Sequence, residues 1–171
     1  LIPLGQPLII KTGAVLSTAG IMLSLSEKVQ ARDNSYYFNS ASDKAERGDY
    51  YGAISDYTKA IEINPSDGAA YINRGVSKRK LKDYYGAISD YTKAIEINPQ
   101  YSKAYYNRGY AKDELKDYYG AISDYTKAIE INPSYKSAYK NRGIAKESIG
   151  DLTGACSDWM QTIYLSLSLI H

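Results

Sequence analysis

The chain has 171 residues, 44% of them hydrophobic, and a net charge of only +2 at neutral pH. That length suits one domain of ordinary size with a normal core. Its acids and bases alternate without forming a basic block, which speaks against nucleic acid, because phosphate binding needs a clustered excess of Lys and Arg. A lone cysteine, Cys156, excludes an intrachain disulfide and leaves no Cys-based metal site, and a lone histidine, His171, leaves no basis for histidine catalysis or a multi-histidine metal site.

Residues 1–31 stand apart from the rest. Lys11 precedes an apolar stretch, Thr12 to Leu25, and a short polar segment then leads to Val29-Gln30-Ala31. A basic residue, an apolar run and small residues at alternate positions form the layout of a secretory signal peptide. The run is shorter than the ~20 residues of a spanning helix. Export with cleavage after Ala31 is expected, to the periplasm or another envelope compartment. The alternatives are an apolar helix packed on the first repeat of the chain, which would leave the protein cytoplasmic, or an uncleaved membrane anchor.

From residue 34 onward a repeat takes over. The segment DYYGAISDYTKAIEINP occurs three times without a change, ending at Pro65, Pro99 and Pro133, with a period of 34 residues. A fixed period of this length marks a stacked repeat architecture. In Tyr84 to Ile97 the apolar residues Tyr84, Ala87, Ile88, Tyr91, Ala94 and Ile95 recur at steps of three and four, one face of a helix. Asp83 stands before it as an N-cap, and Asn98-Pro99 ends it. A second helix covers Ala70 to Leu81. Each unit is therefore helix A, a turn, helix B and another turn, and neither helix can bury its apolar face without the next unit. The units span 34–67, 68–101, 102–135 and 136–169 of an array covering 32–171. Helix B of the fourth runs on from Met160 to Ile170 with Leu165, Leu167, Leu169 and Ile170 all apolar. This end either caps the array, or docks on another chain, or is followed by a tail that the sequence lacks. Cys156 is expected to be a small buried thiol.

The pattern resembles the tetratricopeptide repeat. Tyr71, Gly75, Ala87, Tyr91, Ala94 and Pro99 fill that family's signature places in one unit. Tyr105, Gly109, Ala121, Tyr125, Ala128 and Pro133 do so in the next, and Tyr37, Ala41, Ala53, Tyr57, Ala60 and Pro65 in the first. The fourth has Tyr139, Gly143, Ala155 and Trp159, with Thr162 in place of the second Ala and no terminal Pro. The Tyr-x-Asn-Arg-Gly runs and Gly-Ala-Cys-Ser-Asp-Trp also resemble repeat proteins frequent in bacteria, cyanobacteria especially. The resemblance implies an all-α, right-handed superhelical solenoid of antiparallel helix pairs.

It also implies that helix A lines a concave groove at the second, fifth, ninth, twelfth and thirteenth positions of each unit. Carried over, these include Phe38 and Ser42, Ile72 and Val76, Tyr106 and Tyr110, Lys140 and Ile144, then Arg79 and Lys80, Asp113 and Glu114, Glu147 and Ser148. The family's carboxylate clamp for chaperone peptides is missing, since only Lys140 matches it in type. What remains is an apolar, tyrosine-rich groove edged by Arg79, Lys80 and Lys103, suited to a peptide with apolar anchors and some acidic character. Ile72, Val76 and Tyr106 could instead simply pack between A helices.

Lys44, Lys78, Lys112 and Lys146 recur in helix A, and Asp56, Asp90, Asp124 and Asp158 in helix B. Both ladders read as solvated or salt-bridged faces. No phosphate loop, nucleophile elbow or convergent catalytic set is present, so neither enzyme activity nor a cofactor is expected. The expected role is a non-catalytic scaffold holding a peptide or partner domain. The alternatives are a structural protein that self-associates through its C-terminal helix, or an accessory domain of a larger protein.

Overall fold

The computed structural model describes residues 33–167; the expected signal segment, and Leu169 and Ile170 of the expected apolar run, lie outside them. The described residues form eight α-helices and no strand. The first, α1, covers 33–46. The others are α2 (Tyr50–Ile63), α3 (Gly68–Lys80), α4 (Tyr84–Ile97), α5 (Ser102–Glu114), α6 (Tyr118–Ile131), α7 (Lys136–Ser148) and α8 (Leu152–Leu167). The even-numbered helices are the B helices of the repeat. Asp49, Asp83 and Asp117 cap α2, α4 and α6 by accepting from the backbone N–H of Gly52, Gly86 and Gly120 at 2.9–3.0 Å. Helix α3 starts two residues earlier than expected because Asp67 caps it, accepting from the Ala70 amide. The turn from helix A to helix B needs one residue with positive φ. Gly48 and Gly150 supply it in the outer units, whereas Lys82 and Lys116 adopt it in the inner two.

Each helix packs on its neighbours in sequence, and the small residues make this possible. Ala53, Ala87, Ala121 and Ala155 are fully buried, as are Ala70, Ala104 and Ala138 of the following A helices. The rings of Tyr91 and Tyr125 fill the space between. A Cβ on Gly75 would lie 2.7 Å from the Tyr91 ring, so only glycine admits this approach. Helix α3 also touches α5, and α5 touches α7, whereas α4 touches neither α2 nor α6. The A helices thus crowd the inside of a curve whose outside carries the B helices.

The two charged ladders meet in the core. The Asp ladder is not solvated: Asp56, Asp90, Asp124 and Asp158 are 3–5% exposed. Arg74 donates to both carboxylate oxygens of Asp90 at 2.9 and 2.7 Å, and reaches back to Thr58 of the preceding unit at 3.0 Å. Lys78 adds a second cation at 2.9 Å. Arg108, Asp124, Thr92 and Lys112 repeat this arrangement, as do Arg142, Asp158, Thr126 and Lys146. In unit one Ser40 stands where the arginine does, and it shares Asp56 with Lys44. The small contribution of an exposed pair does not apply to groups so deeply placed.

Cys156 is exposed rather than buried. Its counterparts Ile54, Ile88 and Ile122 are partly covered by a following A helix, and α8 has none among the described residues. The same cause leaves Leu152, Met160 and Ile163 60–65% exposed, whereas Tyr164 and Leu167 occupy positions that are exposed in every unit.

Candidate functional site

The inner face carries a cleft between each successive pair of A helices. All three are built from equivalent positions, so their differences come from side chains alone. The floor of the first holds a helix B tyrosine, Tyr57, whose hydroxyl meets the ninth position of helix A. In the first cleft, between α1 and α3, Ser42 is hydrogen-bonded to the Tyr57 hydroxyl at 3.0 Å. Val76 and Tyr110 replace that serine in the next two units. There the buried hydroxyls of Tyr91 and Tyr125 lack a well-formed hydrogen bond, as does Arg79 Nε. Burial pushes the Tyr91 phenol up to about 12, against the opposing pull of Arg79. Burial and the nearby Asp113 charge raise Tyr125 further.

The first cleft is an open hollow of about 330 Å³ that brings Val76 and Lys80 together with Ser42, Glu46, Tyr57 and Asn73. The second is divided. Its upper end is a hollow of about 350 Å³ where Ile72 and Lys103 meet beside Tyr101. Its lower end is filled by the Arg79 guanidinium stacked on the Tyr110 ring at 4.7 Å, and by Tyr84 donating to Glu114 across the units at 3.0 Å. The third, between α5 and α7, is open again at about 310 Å³, lined by Asp113, Glu114, Lys116, Tyr118, Ile144 and Ser148.

The expected groove residues divide accordingly. Val76, Lys80, Ile72, Lys103 and Ile144 border open hollows. Phe38 packs edge-on against Tyr57 at 5.5 Å. Tyr106 lies against Tyr135 at 4.9 Å and Tyr125 at 5.8 Å, and its hydroxyl accepts from Asn141 at 3.1 Å. Arg79 is partly buried on Tyr110, so neither is a free group at the rim. Lys140 is exposed. Tyr57 and Asn73 were not expected as lining residues. Their signal is hidden because tyrosine at those positions reads equally well as packing.

Among the described residues no group of three or more His, Cys, Asp or Glu side chains could hold a metal ion. No helix among them is long and apolar enough to cross a membrane.

Residues 35–67, 68–101 and 102–135 match family models of the tetratricopeptide repeat. The comparison with curated proteins gives no match. Among solved structures, a crystal structure of MamA superposes with a TM-score of 0.78 at 21% identity, over 92% of this chain and 99% of that one. The first TPR domain of Spaghetti (RPAP3), bound to the HSP90 peptide SRMEEVD, gives 0.69 at 26% identity, over 70% and 94%. The TPR domain of Arabidopsis OM64 gives 0.65 at 26% identity, over 70% and 95%.

Proposed function

The chain belongs to the tetratricopeptide repeat family and is a non-catalytic protein-interaction scaffold; from that premise we propose that it holds an extended or helical peptide segment along its inner face. The observation that carries this reading is the row of clefts between A helices, two of them open, on the one face whose residues change from unit to unit. A domain similar in fold takes the peptide SRMEEVD. This chain offers such an acidic peptide little, since Arg79 is committed to Tyr110 and carboxylates occupy the third cleft. The test is selection from a displayed peptide library on the full chain, followed by calorimetric titration of the strongest binder. Val76→Glu and Ile144→Glu should abolish binding, because each puts a charge on an apolar wall. Lys93→Ala should leave it unchanged, since Lys93 pairs only with Glu96 on the outer surface. The opposite pattern would move the working face to the B helices.

A second reading is self-association through α8. The outward surface of α8 has become more apolar, at one position that a further A helix would cover and at two that are exposed in every unit. Met160 stands where Thr58, Thr92 and Thr126 stand, Tyr164 replaces a glutamate and Leu167 a proline. Met160 cannot accept from an arginine as those threonines do, so the face suits an apolar helix better than another repeat unit. Sedimentation equilibrium of the full chain beside Ile163→Lys tests it. A parent that is monomeric at tens of micromolar would remove this reading.

A further inference from the structure

The two ends of the array are unlike. Each later A helix sits on the preceding B helix through two small buried residues, Ala70 and Ser77, Ala104 and Ala111, or Ala138 and Ala145. At those two places α1 carries Tyr36 and Asp43, both exposed, so its outer face cannot seat on a B helix in the same way. The other end is apolar. Leu152, Met160, Ile163, Tyr164 and Leu167 are 58–65% exposed, and Cys156 is exposed among them. At about 3.6 residues per turn they fall within roughly a third of the helix circumference, as one continuous stripe. The charges that other B helices turn outward are gone. Gln161 and Tyr164 stand where Lys93 and Glu96, and Lys127 and Glu130, form ion pairs. Asp158, the one charged residue of α8, is buried on Arg142 and Lys146. Nothing on the stripe repels a second copy of itself.

The stripe has a centre. Leu152, Cys156, Met160, Ile163 and Leu167 recur at steps of three and four, nearly symmetric about Met160. An antiparallel copy therefore sets Met160 on Met160, Cys156 against Ile163 and Leu152 against Leu167. Helix α7 supplies a second, independent centre. Positions five and twelve of helix A face the following A helix: Tyr106 accepts from Asn141, and Arg79 lies on Tyr110. In α7 these positions are Lys140 and Glu147, both exposed and in no ion pair among the described residues. Their midpoint falls between Gly143 and Ile144. Gly143 is level with Trp159 of α8, since a Cβ on it would lie 2.5 Å from the Trp159 ring nitrogen. One two-fold axis thus passes both through Met160 and through the middle of the Lys140–Glu147 pair. It brings the α7 helices of the two copies side by side in opposite directions and puts each Lys140 opposite the other copy's Glu147. A parallel pair would leave the α7 helices on opposite sides and those charges unmatched.

Deepening the self-association reading, we propose that α8 docks on α8 of a second copy, antiparallel about Met160, in a closed two-fold dimer. The stripes of two copies offer on the order of 1,000 Å², the size at which a specific interface begins. The polar face of α1 keeps the assembly from growing end to end. The two rows of A helices meet on one side of the axis, so a single dimer presents two inner faces and can hold two partner segments at once.

Oxidation of the full chain with copper–phenanthroline tests the register. Ile163→Cys should give a disulfide-linked dimer, through Cys156 of one copy and the new thiol of the other. Within one copy the two positions lie two turns, about 10 Å, apart and cannot bridge. The parent chain, and Ile163→Cys combined with Cys156→Ser, should stay unlinked. A parallel pair reverses this, because Cys156 would meet Cys156 and the parent itself would cross-link. Sedimentation equilibrium gives the second readout. Lys140→Glu and Glu147→Lys, each alone, should weaken dimerisation about tenfold by setting like charges opposite each other, and the double variant should restore the parent value. Cross-linking of the parent overturns this proposal and leaves self-association standing. So does a double variant that fails to recover, an unlinked Ile163→Cys chain that still sediments as a dimer, or a mass that grows beyond the dimer. A parent that is monomeric at tens of micromolar removes both.

Discussion

Replacing Asp124 with alanine should destabilise the array more than removing either cation that meets it. Asp124 is 3% exposed. It accepts from Arg108 at 2.9 and 2.7 Å and lies 2.8 Å from Lys112. In the variant, the Arg108 and Lys112 side chains, 18% and 23% exposed, face each other with no counter-charge. Removing one partner of a buried pair costs about 3–5 kcal/mol. Lys112 can turn its head toward water on a flexible stem, so the lower end, about 3 kcal/mol, is expected. Arg108→Met is milder. Asp124 keeps Lys112, and the further loss is the bond to Thr92 at 3.1 Å. That change should cost about 1–2 kcal/mol. Urea unfolding followed by circular dichroism measures both, provided the m-value is unchanged. The double variant should cost less than the sum of the singles, because the two residues share one interaction. If Arg108→Met proved costlier than Asp124→Ala, the arginine would act mainly as a tie between units through Thr92, and the pair would not be what holds helix A to helix B.

Ala121→Leu should cost about 1–3 kcal/mol by overpacking, since Ala121 is fully buried against Tyr125; a melt coincident with the parent would contradict this packing. Lys116→Gly should raise stability by up to about 1 kcal/mol, because Lys116 sits at φ 64° where a side chain is penalised; a drop in the urea midpoint would show that its side chain matters more than its backbone. Acid should loosen the outer units. Burial opposes ionisation of Asp56 and Asp158, but hydrogen bonds from Lys44 and Ser40, and from Arg142 and Lys146, outweigh it and hold both carboxyls below the ordinary value. A lowered folded value means that stability is present above about pH 4 and is lost as pH falls through it. Melting temperature should fall steeply between about pH 4 and 2, less so in Asp158→Asn, and equal slopes would refute the assignment.

The fold was legible because it is written in spacing. Steps of three and four place the apolar stripe, Asp83 and Asn98-Pro99 bracket the helix, and α4 runs from Tyr84 to Ile97 as that predicts. Burial of charge was not legible. Lys78 and Asp90 look like surface residues in a linear reading, because nothing in a 34-residue period says that Arg74 will complete a triad with them in the core. The exposure of Cys156 was hidden for a related reason. Its neighbours in sequence are those of a buried position, and only the lack of a fifth unit among the described residues uncovers it.

The groove was half legible, and the reason lies in the repeats themselves. Tyr51, Tyr85 and Tyr119 are identical and 73–76% exposed, so repetition in helix B exceeds anything packing requires and cannot serve as a guide to burial. Variation in helix A is the better signal, and it does point to the inner face. Yet variation alone treats Arg79, Tyr106 and Asp113 as equals. Side-chain geometry separates them: Arg79 is spent on Tyr110, Tyr106 on Tyr125 and Tyr135, and Asp113 on nothing. A lone substitution at position nine, serine to tyrosine, decides much of this. In unit one Ser42 binds the Tyr57 hydroxyl and leaves the first cleft open; in unit three Tyr110 reaches sideways and fills the lower end of the second cleft with Arg79. One side chain at one position therefore decides which stretch of the inner face a partner can enter.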